Sequence, residues 1–300
     1  MCLAAIAHGM SLRFPWVLAS NRDEFFARPS AALDWWSDES AINTGQRVLG
    51  GRDLQAGGSW LAVTERGRLA LVTNVREPGR HDPLAPSRGD LVLQALQRGA
   101  ADAAWLSGLR RSRHNGFNLL LAELGDPGEL GDLGKTPLHW TSNRSATDTS
   151  DASDAADGPR PGTVGPGVVA VSNALLDTPW PKLTRLKQDL QTALATASGV
   201  QELSAALLAA LARDRIAPDA ELPRTGVPLE HERQLSPAFI RITAAEPAEQ
   251  AIYGTRCSTL LIVEQEPATG HRRCHVLERR FDSGGQVAGQ SAFDWLLQPG

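Results

Sequence analysis

The residue types that could carry out chemistry meet first near the start of the chain. Cys2 follows the initiator methionine, and the charged run NRDE at residues 21–24 closes the second apolar stretch. If Met1 is removed, Cys2 carries a thiol and a free α-amine, whose ordinary pKa of about 7.7–8.0 lets it act as a base near neutral pH. A thiol beside its own base is a nucleophile that needs no separate histidine. The plainer alternative is that Cys2 is a small buried residue that begins a strand.

Further short blocks follow along the chain in a fixed order. They are GGSWL at 57–61, TNVR at 73–76, SN at 172–173, LDTPWPK at 176–182 and YGTRCST at 253–259. Together with the NRDE run, these blocks resemble those of the NRDE family, also called the transport and Golgi organization family. The resemblance extends from residue 2 to about residue 264, and it is specific because the blocks occur together.

The resemblance implies a fold and a set of site residues. Members of this family are similar to N-terminal-nucleophile hydrolases of the choloylglycine hydrolase and penicillin V acylase type. That similarity implies an α+β fold in which two mainly antiparallel sheets stack between helices as a four-layer α-β-β-α sandwich. Carried over by position, the implied catalytic residues are Cys2, Arg22, Asp23, Asn74, Asn173 and Arg256.

Arg22 and Asp23 depart from the hydrolase pattern, in which the arginine and the aspartate are separated by intervening residues. Neighbours on a strand point to opposite faces. Both side chains can therefore reach Cys2 only if the strand has ended or bulged at this point. On the ordinary interpretation, Asp23 caps a turn and Arg22 pairs on the surface with Glu24 or Asp34.

The two asparagines and the late arginine also allow two interpretations. Asn74 and Asn173 could donate hydrogen bonds to an oxyanion, a contribution typically worth about 3 kcal/mol in a dry site. Both could equally be turn residues, because asparagine tolerates the left-handed backbone region. Arg256 could hold a thiolate or a substrate carboxylate through its planar fork. It could also be a solvated arginine that precedes an apolar strand.

Two functions follow from these residues and from the family resemblance. The first is a hydrolase or acyltransferase that acts on a non-peptide amide or thioester of a small acylated molecule through the Cys2 thiolate. Asp23 would hold the α-amine, and the arginines would favour the thiolate. The alternative is a binding or trafficking protein for an acyl-CoA-type lipid or haem on the same scaffold. Neither function calls for a resident cofactor.

Composition narrows the classes of partner. The formal net charge is −4 and the pI is about 6.0, so no basic surface indicates nucleic acid. No stretch approaches the roughly 18 consecutive apolar residues of a membrane span. The start of the chain lacks the cationic region of a secretory signal. The cysteines Cys2, Cys257 and Cys274 show no paired spacing, which favours a reducing, cytoplasmic compartment over a disulfide framework.

Apolar runs at 3–7 and 16–20 predict an antiparallel hairpin. The NRDE run is expected where the second strand ends, about level with Cys2 across the ladder. The sequence predicts a second hairpin at 59–64 and 68–73, strands at 117–124 and 168–172, helices at 90–97, 101–109, 178–197 and 201–213, and a late hairpin at 259–264 and 273–280. Thr178 is expected to cap the long third helix, with a proline in its first turn.

The pattern predicts a single domain over residues 1–300. Residues 143–167 are rich in Ser, Asp, Gly, Pro and Ala, and they are expected to form a mobile loop insertion.

Histidines offer weaker candidates for a ligand site. His8, at the end of the first strand, is expected to be a core or rim histidine, although it is the best single candidate if the protein binds haem. His271, Cys274 and His275 have loosely metal-like spacing, but no second pair accompanies them, so no metal site is expected.

Overall fold

The computed structural model describes residues 2–36, 45–98, 102–109, 112–125, 137–145, 162–243, 251–266 and 269–297. In chain order, the strands are β1 (Cys2–His8), β2 (Trp16–Phe25), β3 (Ser30–Trp35), β4 (Val48–Asp53), β5 (Leu61–Thr64), β6 (Arg68–Asn74), β7 (Phe117–Glu123), β8 (Leu138–Ser142), β9 (Gly162–Val164), β10 (Gly167–Val171), β11 (Arg241–Thr243), β12 (Ala251–Gln265), β13 (Arg272–Phe281) and β14 (Val287–Leu296). The helices are α1 (Gly89–Arg98), α2 (Ala103–Gly108), α3 (Pro181–Thr196), α4 (Val200–Leu211) and α5 (Leu229–Gln234).

The described strands form two antiparallel sheets. The first sheet has the order β10-β1-β2-β12-β13-β14, and β11 pairs with β12. The second sheet runs from β3 to β9 in chain order, so each strand pairs with its neighbour in sequence. The predicted early hairpin is confirmed as β1–β2, the second as β5–β6 and the late one as β12–β13.

Three apolar cores separate four layers. One face of the first sheet packs on α3 and α4, where Leu3 and Leu260 join the same core as Leu186 and Leu207. The opposite faces of the two sheets pack on each other. The outer face of the second sheet packs on α1 and α2. These layers confirm the expected α-β-β-α sandwich, in which β1 and β2 lie buried between α3 and the second sheet.

The prediction that β2 ends before the NRDE run is wrong. The strand continues to Phe25 because β12 supplies a partner on its far side, from Tyr253 opposite Phe25 to Val263 opposite Trp16. The irregularity lies in β12 instead, where the register shifts between Thr255 and Cys257. The NRDE side chains therefore alternate between the two faces of the sheet.

The helix α3 begins later than predicted. Trp180 is its N-cap residue and makes no side-chain capping bond, and a proline occupies the first turn as expected. The Thr178 hydroxyl donates instead to the Leu175 carbonyl at 2.8 Å, so the predicted cap is wrong. Asp177 positions this turn through two hydrogen bonds to Ala170 in β10. The Asp177 N–H donates to the Ala170 carbonyl, and the Ala170 N–H donates to the Asp177 carboxylate.

The proposed loop insertion is described only at its two ends. Residues 146–161, which make up most of it, lie outside the described residues. At one end the Asn143 carboxamide bonds to Phe117 and His114, and at the other β9 pairs with β8. None of the described helices is long and apolar enough to cross a membrane.

Candidate active site

Cys2 lies at the start of β1, directly across the ladder from Arg22 in β2. Ala4 and Ile6, which share the strand parity of Cys2, pack in the core between the two sheets. Cys2 and Arg22 therefore share the face that looks toward the second sheet, and both are buried. The prediction that the NRDE run lies level with Cys2 is confirmed.

The Arg22 guanidinium is held by few contacts for so buried a group. Its central carbon lies 4.2 Å from the Trp60 ring centroid, and its Nη2 lies 3.8 Å from an Asp53 oxygen. That same oxygen accepts a closer bond, at 2.7 Å, from Arg28. Among the described residues, the buried Nη1 of Arg22 has no hydrogen-bond partner. A buried guanidinium N–H without an acceptor is costly, which makes it a ready donor to an anion on the thiol's face.

The GGSWL block sets the position of Trp60. A Cβ on Gly58 would lie 2.5 Å from a backbone carbon of Gly89, and one on Gly51 would lie 2.3 Å from the Trp60 ring. Both glycines therefore permit close approaches that a side chain would block. The Ser59 hydroxyl fixes the turn by donating to the Gly51 carbonyl at 2.8 Å. These contacts bring the indole under Arg22.

Asp23 lies on the other face of β2, beneath the helix layer. It is fully buried, and its Oδ1 accepts a 2.7 Å hydrogen bond from the Thr255 hydroxyl. Burial raises the pKa of the Asp23 carboxyl above its ordinary value, while the Lys182 ammonium and the Thr255 bond act in the opposite direction. Because Cys2 pairs with Arg22, Asp23 comes level with the backbone that precedes Cys2 rather than with the thiol.

Glu24 and Arg88 are charged neighbours of the thiol that were not among the implied catalytic residues. Glu24 has the strand parity of Arg22, and its negative charge contributes to raising the pKa of the Cys2 thiol. Arg88 directly precedes α1, the helix that packs on the second sheet. Burial lowers the Arg88 pKa, whereas the charges of Glu24 and Cys2 act to raise it. Charges of both signs therefore surround the thiol's face: Arg22 and Arg88 as cations, and Glu24 as a carboxylate in addition to Asp53.

The two predicted asparagines join the sheets beside Cys2. The Asn173 side-chain amide donates to the Asn74 carbonyl at 3.0 Å. The Ser172 hydroxyl lies 3.0 Å from the Cys2 carbonyl and 3.2 Å from the Asn173 side-chain oxygen. In the other direction, the Arg76 backbone N–H donates to the Asn173 carbonyl at 2.8 Å. The structure therefore brings Asn173 to Cys2 through Ser172, and Asn74 to Asn173 through its backbone.

Arg256 occupies the bulge of β12 but does not bind the thiol. Its Nη1 donates to the carbonyls of Phe25, Phe26 and Arg28, at 2.9, 3.3 and 3.0 Å. Burial, and secondarily the charge of Arg22, lower its pKa. Arg256 therefore holds the turn after β2, and Arg22 is the arginine that shares a face with Cys2.

The surroundings of Cys2 do not by themselves activate its thiol. Burial raises the pKa of the Cys2 thiol above its ordinary value, and the charge of Asp23 adds to this while that of Arg22 opposes it. A thiolate there needs a base close by. The α-amine that Cys2 would gain on loss of Met1 is such a base.

Comparison with known proteins decides the family. The family model described as "Transport and Golgi organisation 2" matches residues 1–283. The chain belongs to the transport and Golgi organisation 2 family. The predicted family resemblance is confirmed.

Members of the transport and Golgi organisation 2 family from animals are similar over most of their length. The chain is 33% identical to the "Transport and Golgi organization protein 2 homolog" of Bos taurus over 259 residues, which cover 85% of this chain and 83% of that one. The Homo sapiens homolog is 32% identical over the same length and the same shares. Among solved structures, the mutant C2A conjugated bile acid hydrolase from Clostridium perfringens matches with a TM-score of 0.43 and 9% identity, over 98% of this chain and 92% of that one.

In this member of the transport and Golgi organisation 2 family, Lys182 is a further charged residue near the site. It belongs to the LDTPWPK block, but no pattern in the sequence indicates that its side chain is buried. Its ammonium donates to the Leu235 carbonyl at 3.0 Å. Burial lowers the Lys182 pKa to about 8, although the charges of Asp23 and Cys2 act to raise it. Lys182 is therefore a buried cation on the Asp23 side of the sheet.

Arg76 and Glu232 form a buried ion pair near the same strand ends. Arg76 Nη1 lies 2.7 Å from Glu232 Oε2, and the side chains are only 7% and 3% exposed. The Arg76 guanidinium lies over the Trp180 ring at 5.0 Å. The pair ties the TNVR block to α5. The sequence did not indicate it, because its partners are far apart in the chain.

The histidine candidates lie away from Cys2. His8 is at the opposite end of β1, where it is buried and stacks on Trp16 with ring centroids 4.9 Å apart. Cys274 is buried in the core between the sheets, and His275 Nε2 lies 3.6 Å from a Glu264 oxygen. Within the described part of the chain, no group of three or more His, Cys, Asp or Glu side chains could hold a metal ion.

Proposed function

We propose that the chain is an N-terminal-nucleophile hydrolase or acyltransferase that cleaves a non-peptide amide or thioester of a small acylated molecule through the Cys2 thiolate. One observation carries the proposal: Cys2 and Arg22 share a buried face, and Arg22 Nη1 has no partner there among the described residues. That guanidinium is available to an anion, which would be the thiolate or a substrate carboxylate.

The proposed reaction uses the α-amine that loss of Met1 gives Cys2. The amine takes the thiol proton, and the Cys2 sulfur attacks the substrate carbonyl carbon. Collapse of the tetrahedral intermediate expels an amine or a thiol, which takes the proton back, and leaves a thioester on Cys2. Water then releases the carboxylic acid in a hydrolase, whereas an acceptor nucleophile takes the acyl group in a transferase.

The neighbouring side chains have separate roles in this proposal. Asp23 holds the α-ammonium, since the β1–β2 register brings it level with the backbone that precedes Cys2. Arg22 lowers the free energy of the thiolate by placing positive charge on its face. Asn173 and the segment at Asn74 supply donors to the oxyanion, by analogy with the family resemblance.

The test uses intact mass spectrometry on the purified chain. Met1 is expected to be absent, and incubation with a short-chain acyl thioester is expected to leave one acyl group on Cys2. Cys2→Ala should form no adduct and release no acid. Iodoacetamide at neutral pH should also label Cys2 before Cys257 and Cys274, whose thiol pKa values burial raises. Turnover by a chain that fully retains Met1 would contradict the mechanism.

A second candidate function is a carrier for an acyl-CoA-type lipid or haem. The observation that favours it is the continuation of β2 through the NRDE run, which leaves Asp23 on the face opposite to the thiol. Burial also leaves the Cys2 thiol with a raised pKa. A carrier would bind a long-chain acyl-CoA or haem equally well as wild type and as Cys2→Ala, and neither form would release acid.

A further inference from the structure

A cavity of about 560 Å³ lies on the helix side of the first sheet. The start of α3 forms one wall, and the end of α4 with residues 215–218 and 236–238 forms the other. Its volume is in the range of small-molecule sites. Cys2 and Arg22 face the second sheet on the other side of β1 and β2, and neither lines this cavity.

The walls are held rigidly. Pro179, Pro181, Pro218 and Pro237 line the cavity, and each fixes its own backbone angle φ. A hydrogen bond joins the two segments of the wall opposite α3, because the Ala217 N–H donates to the Ser236 hydroxyl at 3.0 Å. A cavity with such walls exists before a ligand arrives, which reduces the entropy lost on binding.

The charge of the lining is opposite in sign to that of the whole chain. Among the described lining residues there are four cations and two carboxylates, in a chain of net charge −4: Lys182, Arg185, Arg213 and Arg215 against Asp189 and Glu221. The excess of cations favours an anionic ligand.

The cations differ in what already binds them. Arg213 and Asp189 form a two-pronged ion pair. Among the described residues, no hydrogen bond or ion pair is made by the side chains of Arg185 and Arg215. At the inner end, the buried Lys182 ammonium gives one hydrogen bond to the Leu235 carbonyl and has further N–H groups to offer.

The remaining lining is apolar. Besides the prolines, Leu186, Ala210, Ile216 and Ala238 face the space. An apolar body with one anionic group matches such a site, because the body buries against these side chains while the anion meets the cations. We propose that this cavity binds a small amphiphilic anion, a carboxylate or a phosphate monoester with a short apolar chain.

Isothermal titration calorimetry tests the site with three probes of equal chain length: octanoate, octyl phosphate and octanol. One or both anions should bind, and which of them binds identifies the anionic group. Octanol should bind at least about 10-fold more weakly, as expected when charge-assisted bonds are lost. Equal binding of octanol, or binding of none of the three, would overturn the proposal.

Variants locate the binding. The double substitution Arg185→Gln with Arg215→Gln should weaken anion binding at least about 10-fold, and Thr184→Trp, at an exposed lining position, should block it. Arg66→Gln with Arg224→Gln is the matched control, because it removes equal charge from exposed positions outside the lining. Anion binding that survives Thr184→Trp would place the ligand elsewhere.

The Cys2→Ala variant separates this site from the proposed active site. Binding at the cavity should be unchanged in Cys2→Ala, whereas acid bound as a reaction product beside Cys2 should be affected by that substitution but not by Thr184→Trp. Failure of acyl-adduct formation in the wild type would count against the proposed function alone.

Discussion

Among the single residues, the buried ammonium of Lys182 allows a test that needs no substrate. Its folded pKa of about 8 lies below the ordinary 10.5, so between these pH values the unfolded chain binds the proton and the folded chain does not. The free energy of unfolding therefore rises with pH in this window. The difference between 10.5 and about 8 corresponds to a gain of about 3 kcal/mol.

Lys182→Met should remove that dependence. We expect the stability of wild type relative to Lys182→Met to increase by up to about 3 kcal/mol from pH 7 to pH 10.5, measured by urea unfolding. Lys187→Met is the control, since Lys187 lies on the same helix with a side chain 28% exposed. Parallel pH profiles for wild type and Lys182→Met would show that Lys182 keeps its ordinary pKa.

Asp23 and Glu24 lie on opposite faces of one strand, so their substitution separates two roles. Asp23→Asn keeps an oxygen for Thr255 but removes the charge proposed to hold the α-ammonium. We expect acyl-enzyme formation to fall at least about 100-fold and stability to fall by no more than about 1–2 kcal/mol. Mass spectrometry of the acyl adduct and urea unfolding measure the two effects.

Glu24→Gln is the matched control for that substitution. Its carboxylate accepts a bond from the Phe25 N–H at 2.9 Å, which glutamine can still accept. If Glu24→Gln impairs acylation more than Asp23→Asn does, the working pair is Arg22 with Glu24 on the thiol's face. If both substitutions lower the stability strongly and neither weakens ligand binding by the folded chain, the NRDE run has a structural role. That result would favour the carrier function.

At the scale of elements, the GGSWL turn is expected to be intolerant of a single added methyl group. Gly58→Ala would place a Cβ 2.5 Å from the Gly89 backbone, and neither backbone can yield as a flexible side chain would. Overpacking of this kind should cost about 2 kcal/mol of unfolding free energy. It should also displace Trp60 from Arg22 and slow the labelling of Cys2.

Gly108→Ala is the control, because a Cβ there meets nothing within 4 Å at the end of α2. It should be neutral or slightly stabilising in the same urea unfolding experiment. Equal losses of stability from the two substitutions would show that the close approach of Gly58 to Gly89 is relieved without cost.

Apolar patterns are sufficient to predict β1, the β5–β6 hairpin and the helices α1 to α4. The side chains that these segments bury are almost all apolar. The end of β2 could not be predicted in this way. Asn21 is fully buried there because its amide donates to the Leu211 and Ala238 carbonyls, which are distant in sequence. The strand β14 could not be predicted either, because it has no continuous apolar run: exposed and half-buried positions alternate along it and none is fully buried.

The candidate site shows the same division. The family blocks predicted that Cys2, Arg22 and Asn173 come together. They did not predict that β2 continues as a strand, which places the Asp23 side chain on the face opposite to the thiol. The burial of Lys182 depends on α3 packing over β1 and β10, which no local pattern reveals. Residue types thus predicted the chemistry, whereas the faces and the hidden charges depended on tertiary contacts.

At the scale of the whole molecule, we expect only part of the proposed loop insertion to be dispensable. That part is residues 146–161, which is shorter than the 143–167 range that the composition indicates. Residues 146–161 contain almost no large apolar side chain, so they can contribute little buried area. Replacing them with a short Gly-Ser link should change the melting temperature by no more than a few degrees, since the entropy cost of closing a loop depends only weakly on its length.

The matched control is a deletion with the full bounds, 143–167. It removes Asn143, whose carboxamide accepts from the Phe117 N–H at 3.0 Å and donates to the His114 carbonyl at 2.9 Å. It also removes β9, the last strand of the second sheet, and the start of β10 beside β1. We expect this larger deletion to lower the melting temperature by more than about 10 °C, because several buried hydrogen bonds are lost together. Differential scanning calorimetry measures both melting temperatures. If the deletion of 146–161 lowers the melting temperature as much as the larger deletion does, these residues pack on the sandwich.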